Sequence, residues 1–264
     1  MSAEPVLFER DGAIARLVLS RPDQGNAIDL DMARTLFEAA VRCDTDGSIR
    51  CVVLTGAGRL FCAGGDVGVM AKAGDDAPAV VGELASTLHM AVARLARMRK
   101  PLLVLVNGPA AGAGLSLAIA GDVVIAGESA HFTAAYGAIG LSPDGGMSWL
   151  LPRLVGLRKA QDIILSNRRI KSDEAERIGL VTRTVADDAL AAEGEAAAGT
   201  LAASATAALG AARALLTEAY TSGLETQMER EVRAISHAAG SAECKEGLAA
   251  LFAKRKPDFE GAGS

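Results

Sequence analysis

Apolar residues in this chain come in short runs whose spacing switches repeatedly between the period of a strand and that of a helix. Val6 to Phe8 and Ile14 to Leu19 flank Asp11-Gly12, a dipeptide that closes tight hairpins. From Asp31 to Cys43 the apolar positions Met32, Leu36 and Ala39 share one helix face, and Asp29 supplies the cap. Cys51 to Leu54 is a short apolar strand, and Thr55 to Asp66 is a glycine-rich loop. Glu83 to Met98 has the pattern of an amphipathic helix. Leu102 to Val106 reads as a buried strand closed by a second glycine-rich turn and a helix from Ala113 to Ala120. Val123 to Ala126 is strand-like, and Gly146 to Leu154 is helical. Beyond Gly156 the pattern changes. Ser172 caps a short helix ending at Gly179, Leu180-Val181 makes a last brief strand, and Asp187 to Lys254 reads as helices broken at Gly210, Gly223 and Gly240.

Strands alternating with helices imply an α/β arrangement with mostly parallel strands. A boundary near residue 190 divides an α/β core, 1–190, from a helical region, 191–264. Ala191 to Ala212 is helix-forming rather than low in complexity, and there is no internal repeat. Leu102 to Gly121 carries no charge over about the length of a membrane span. Asn107-Gly108-Pro109 interrupts it, so it reads as strand, turn and buried helix, with no membrane contact expected.

Half of the 264 residues are apolar but only 3% are aromatic, so Ala, Val, Leu and Ile must build the core. That core is large enough to fold without disulfides or metals. A charged fraction of 22% with a net charge of -5 excludes a disordered chain and argues against a nucleic-acid partner. Cys43, Cys51, Cys62 and Cys244 form no CxxC pair, and His89, His131 and His237 lie far apart in sequence. Neither a metal site nor a disulfide framework is expected. Reduced thiols point to a cytoplasmic protein, and Met1 to Arg10 lacks the apolar run of a secretory leader.

Both glycine-rich segments occupy strand-to-helix turns, where backbone N–H groups lack partners. Phe61-Cys-Ala-Gly-Gly-Asp66 follows the strand ending at Leu54, and Gly108-Pro-Ala-Ala-Gly-Ala-Gly114 follows the one ending at Val106. They either permit close packing of strand on helix or aim two N–H donors at one ligand oxygen. Dinucleotide, phosphate-loop and nucleophile-elbow signatures all fail at these turns.

At this point a resemblance becomes specific. The segments Leu19-Ser-Arg-Pro-Asp-Gln-Gly-Asn-Ala27, Phe61 to Asp66 and Asn107 to Leu115 resemble the enoyl-CoA hydratase/isomerase (crotonase) superfamily. So do Ile139-Gly-Leu-Ser-Pro-Asp-Gly-Gly146, Leu151-Pro-Arg-Leu-Val-Gly156 and Phe252-Ala-Lys-Arg-Lys-Pro-Asp-Phe259, in the same order and over nearly the whole chain. The resemblance implies a crotonase-like spiral of ββα units with a C-terminal helical region that forms trimers or hexamers. It implies an acyl-CoA thioester as substrate, with coenzyme A present only as part of it and no other cofactor. The N–H groups of Gly65 and Ala113 are then the donors to the thioester oxygen. Ala63, Asp66, Gly112, Gly114 and Tyr136 surround the acyl group, and Lys254 of the basic tail, on its own a solvated charge run, reaches toward the phosphates of coenzyme A.

The family's hydratases use two glutamates. Their positions hold Ser116 and Tyr136 here, which disfavours simple hydration. Asp144 matches the acid of isomerase members, where one carboxylate moves a proton along the acyl chain. Taken alone, Ser142-Pro-Asp-Gly-Gly146 also reads as a turn and helix cap. His89 stands where hydrolytic dehalogenases of the superfamily carry a base, and on a helix face it also fits a packed or solvated residue. Cys62 reads as a small buried side chain, Asp66 as a support for its own loop, and Met70 and Leu117 as pocket or core. Isomerisation by Asp144 leads, within aromatic catabolism or fatty-acid oxidation. Hydrolysis or dehalogenation through an aspartyl ester, and a catalytically silent acyl-CoA binder, are the alternatives.

Overall fold

A computed structural model describes residues 4–262, so the first three positions of the Met1–Arg10 start lie outside the described residues. Strand β1 (Val6–Asp11) turns at Gly12 into β2 (Ile14–Leu19), and the two pair antiparallel with Leu7 opposite Val18. Helix α1 (Leu30–Thr45) leads to β3 (Cys51–Gly56). Its cap is the expected one, since the Asp29 side chain accepts from Met32 N–H. Two helices follow, α2 (Val67–Ala73) and α3 (Ala77–Arg97), before β4 (Leu102–Val106). Pro78 in its first turn lets α3 start well upstream of Glu83. A short β5 (Ala110–Ala111), α4 (Ala113–Ala118) and β6 (Val123–Gly127) come next, so the uncharged Leu102 to Gly121 stretch is a buried strand, turn and helix.

Then come β7 (His131–Thr133), α5 (Met147–Val155), α6 (Leu157–Ser166), β8 (Ile170–Lys171), α7 (Ser172–Arg177) and β9 (Arg183–Val185). Helices α8 (Leu190–Ala202), α9 (Thr206–Ala219), α10 (Leu224–Ala239), α11 (Ala242–Phe252) and α12 (Phe259–Ala262) complete the chain. The main sheet has the order β1-β2-β3-β4-β6-β9, parallel throughout except for the first hairpin. A second sheet, β5-β7-β8, stands beside it.

Buried parallel strands carry apolar side chains on both faces, which is why β3 and β4 read as unbroken apolar runs. Val52, Leu54, Leu102, Val104 and Val106 enter the larger core beneath α1 and α3. Cys51, Val53, Leu103 and Leu105 point the other way and meet Leu190, Ala198 and Ala202 of α8. Gly194 makes that approach possible, because a Cβ there would stand 2.4 Å from Leu105 Cδ1. Arg50 ends the layer by donating to Ala202 O at 2.7 Å and Ser204 O at 2.8 Å. Helix α9 is tied down by Arg213, which donates to Lys100 O at 2.7 Å, Leu95 O at 3.1 Å and Met98 O, and pairs with Asp122.

Three local expectations are corrected. The last strand is Arg183–Val185, while Leu180 and Val181 are a buried turn whose N–H groups both go to Ala175 O and close α7. Ser172 does not cap α7, since its hydroxyl donates to Glu128 O at 2.8 Å. Helix α6, which buries Ala160 and Ile163, was not expected from the sequence, since it follows Gly156 directly with no capping side chain. Among the described residues one continuous stretch, Val67–Arg97, which holds α2 and α3, is long and apolar enough to cross a membrane, and α8 with α9 reaches that length only across a 99° bend.

Candidate functional site

The loops after β3 and β4 are stitched together by their backbones. Phe61 and Cys62 N–H both donate to Pro109 O, at 3.1 and 3.2 Å, and Ala111 N–H returns to Cys62 O at 3.0 Å. Asn26, fully buried at φ 55°, holds the first loop from behind. Its amide donates to Ala57 O, Leu60 O and Phe61 O at 2.8–3.1 Å and its oxygen accepts from Arg21 N–H at 2.9 Å. Glycines set how closely the loops approach. A Cβ on Gly114 would stand 2.2 Å from Cys62 O, and one on Gly64, at φ 101°, would meet Ala111 O at 2.8 Å.

This approach brings two peptide amides to one place. Ala113 is the first residue of α4, so its N–H has no partner within the helix. The ideal Cβ that Gly64 lacks would be 3.4 Å from Ala113 N, which fixes how near the first loop lies. Neither Gly65 N–H nor Ala113 N–H donates to any acceptor among the described residues. Both residues line a cavity of about 470 Å³, whose walls are otherwise mostly apolar: Ile28, Val67, Met70, Leu84, Leu88, Ile139 and Leu141 among them. Such surroundings strengthen a hydrogen bond to any anion placed there.

One carboxylate reaches the cavity from the lining residues, that of Asp144. The Tyr136 hydroxyl donates to its Oδ1 at 2.6 Å. Burial, and then that same bond to Asp144, push the Tyr136 phenol above its ordinary range and keep it a donor. Around the backbone of Asp144, Ser116 Oγ donates to the carbonyl at 2.8 Å, and Gly145 N–H donates to His89 Nε2 at 2.9 Å. His89 Nε2 also lies 3.3 Å from Asp144 Oδ2. Nε2 cannot accept from Gly145 and donate to Asp144 at once. The shorter contact decides it: Nε2 is the acceptor and the ring proton sits on Nδ1. Asp144 Oδ2 is thereby left without a donor among the described residues.

The residues singled out by sequence divide accordingly. Gly65, Ala113, Ala63, Gly112, Tyr136 and Asp144 line one cavity, with Met70. Asp66 does not, because its carboxylate caps α2 through Gly68 and Val69 N–H. Gly114 is turned against Cys62 instead, so its role is the packing one. Ser116 is buried at 2% exposure behind the cavity wall, within 3.5 Å of the Tyr136 hydroxyl, and Leu117 belongs to the core. His89 stands outside the lining on half-exposed α3, and Lys254 lies exposed just past α11. Cys62 is sealed, its thiol pushed up to about 12 by burial. Sequence reading passed over Arg21, although it lies inside a quoted segment. Its guanidinium sits 3.1 Å from Asp29 and 3.2 Å from Asp66, joining the caps of α1 and α2. Among the described residues no cluster of three metal-ligating side chains occurs.

Known proteins resemble the chain over nearly its whole length. The family model described as enoyl-CoA hydratase/isomerase matches residues 9–262. A 1,2-epoxyphenylacetyl-CoA isomerase from Escherichia coli is 37% identical over 98% of this chain and 99% of its own length. A Rhodobacter capsulatus protein named "Probable enoyl-CoA hydratase" is also 37% identical, over 99% of this chain and all of its own. Among solved structures, an enoyl-CoA hydratase from Polaromonas superposes with a TM-score of 0.91 at 33% identity, covering 96% of this chain and 98% of that one.

Proposed function

The chain belongs to the enoyl-CoA hydratase/isomerase family, with its crotonase-like fold, and from that premise we propose that it shifts a carbon–carbon double bond within an acyl-CoA thioester. In this reading Asp144 Oδ2 takes a proton from the carbon beside the thioester carbonyl of a 3-enoyl ester. The electron pair of that C–H bond moves toward the carbonyl oxygen, and Gly65 and Ala113 N–H hold the resulting enolate. The Asp144 carboxyl then returns the proton further along the chain, giving the 2-enoyl ester. Each of these N–H groups contributes about 3–4 kcal/mol in comparable sites, and a placed base contributes roughly 10² to 10⁴ in rate.

The observation that carries the reading is the pairing of two unpartnered amides with a single carboxylate in one apolar cavity. Hydration asks for a second carboxylate, and the two positions where the family's hydratases place theirs hold Ser116 and Tyr136. Of these, Ser116 is walled off from the cavity. The E. coli relative named as an isomerase of an aryl-acyl-CoA extends the candidate substrates from linear to ring-bearing acyl groups. An assembly of three or six chains through the C-terminal helices belongs to the same proposal.

Incubating the protein with 2-enoyl-, 3-enoyl- and aryl-acyl-CoA esters in deuterium oxide tests it. Double-bond migration with deuterium entering at the carbon further along the chain to which Asp144 returns the proton, abolished in Asp144→Asn, is the expected result. Net water addition, a covalent adduct on Asp144, or binding of the esters without turnover would each overturn it.

A further inference from the structure

We propose that Ser116 and His89 form a positioning clamp on the peptide group between Asp144 and Gly145. The inference rests on the reading of Asp144 as the base. A peptide group offers one donor and one carbonyl oxygen, and here each meets a side chain from a different helix, with Met147 N–H sharing the oxygen at 3.1 Å. Ser116, on α4, donates to the carbonyl of Asp144 at 2.8 Å, and His89, on α3, accepts from the N–H of Gly145 at 2.9 Å. Gripped from both sides, the peptide cannot rotate about its flanking bonds without losing one of these partners.

The local backbone makes such a grip necessary. Gly145 and Gly146 adopt φ 62° and 82°, in a Pro-Asp-Gly-Gly turn with little intrinsic stiffness. Beyond the clamp, two things limit it: Met147 N–H also donates to the Asp144 carbonyl, at 3.1 Å, and a Cβ on Gly145 would stand 2.8 Å from Ser116 Cβ. Without the clamp the turn could swing Asp144 and carry its carboxylate away from Gly65 and Ala113. Ser116 also gains a function in this arrangement. A glutamate there would be too long to bond the Asp144 carbonyl from this buried place, whereas a hydroxyl fits. Neither clamp residue lines the cavity, so both act through Asp144.

Four variants and one spectrum test the clamp, with 3-hexenoyl-CoA as probe. Ser116→Ala and His89→Leu are expected to lower kcat about tenfold each while KM stays within about twofold. His89→Gln recovers most of the loss, because its amide oxygen accepts from Gly145 N–H. Both single changes release the same peptide, so the double variant loses less than the product of the two. Nitrogen-15 NMR of the wild-type His89 ring is expected to show the Nδ1–H tautomer, whether or not the probe is turned over. Full kcat in both single variants, a His89→Gln as slow as His89→Leu, strictly multiplicative losses, or an Nε2–H ring would overturn the clamp. Asp144→Asn run alongside separates the two ideas: its full activity would refute the base assignment, whereas an inactive Asp144→Asn beside unimpaired clamp variants refutes the clamp alone.

Discussion

Tyr136 and Asp144 share a 2.6 Å hydrogen bond in which the phenol donates to Oδ1 of the carboxylate. One carboxylate oxygen is thus fixed, and the other faces a histidine nitrogen that holds no proton. The phenol is pushed above its usual range by burial and by its anionic acceptor, so the donor persists through alkaline conditions. Removing the hydroxyl frees Asp144 to rotate. Tyr136→Phe is expected to reduce kcat about 10- to 100-fold, the worth of a hydrogen bond to a charged group, with little change in KM. Steady-state kinetics on a 3-enoyl-CoA ester reads this directly, and a kcat within a factor of two of wild type would refute it.

The Ala113 amide can be deleted without breaking its helix. Ala113 is the first residue of α4, where proline is tolerated because that N–H has no helical partner. Ala113→Pro removes the donor and points a ring carbon into the cavity in its place. We expect kcat to fall about 10²- to 10³-fold with the circular dichroism spectrum and thermal midpoint retained. Retained activity would place the thioester oxygen elsewhere.

Much of this site was legible in the sequence because its parts are backbone features marked by glycine. The runs Phe61 to Asp66 and Gly108 to Gly114 announce turns that present the unpartnered N–H groups of Gly65 and Ala113, and Asp144 stands in a turn signature of its own. The bland explanation of the glycines also holds, since Gly64 and Gly114 are where one loop presses on the other. Side-chain partnerships across long separations were not legible. Nothing local tells that His89, fifty-five positions upstream, accepts from the residue after Asp144, or that Arg21 joins two caps. Helix α6 escaped because it follows Gly156 directly with no capping side chain, and β9 because its three residues are half-buried and carry Arg183 and Thr184.

Arg21 links the first loop to the start of α1. Its guanidinium lies between the Asp29 and Asp66 carboxylates, all three side chains about four-fifths buried, and it also donates to Ala27 O. Replacing it leaves two partly buried carboxylates facing one another. Arg21→Met is expected to cost about 2–3 kcal/mol in urea unfolding, below the roughly 3–5 kcal/mol of breaking a fully buried pair because these groups keep some solvent contact. Because Asp66 follows Gly65 directly, kcat should fall as well. A loss below about 0.5 kcal/mol would mean the network is solvated in practice.

Three thiols are hidden. Burial pushes Cys43, Cys51 and Cys62 up to about 12 from 9.0, so each stays protonated at pH 8 and inert to disulfide reagents. Native protein is expected to release at most one equivalent from such a reagent, at Cys244, and unfolded protein four. The folded state holds these protons where the unfolded chain loses them. Stability is therefore fully present below about pH 9 and declines as pH rises toward about 12. Urea titrations at pH 8 and pH 10.5 check the sign; a midpoint that rises with pH would contradict it.

Helix α10 is sixteen residues long and buries none of them within the single chain. Its apolar positions Leu224, Met228, Val232 and Ile235 nevertheless fall at helical spacing on one stripe, each more than half exposed. Leu216 of α9, Tyr220 just after it, and Leu251 and Phe252 of α11 are exposed too. Isolated helices of this length are marginal in water, and an uncovered apolar stripe is a liability. A second copy of the chain, bringing the same stripe, would remove both problems at once. Under the proposed assembly the protein is expected to elute as three or six chains, and Val232→Glu with Ile235→Glu to elute as one. The charge pair should leave the sheet intact, since α8 covers its outer face independently of α10. Light scattering at micromolar concentration reads the mass, and a wild-type monomer there would show that the stripe serves some other partner.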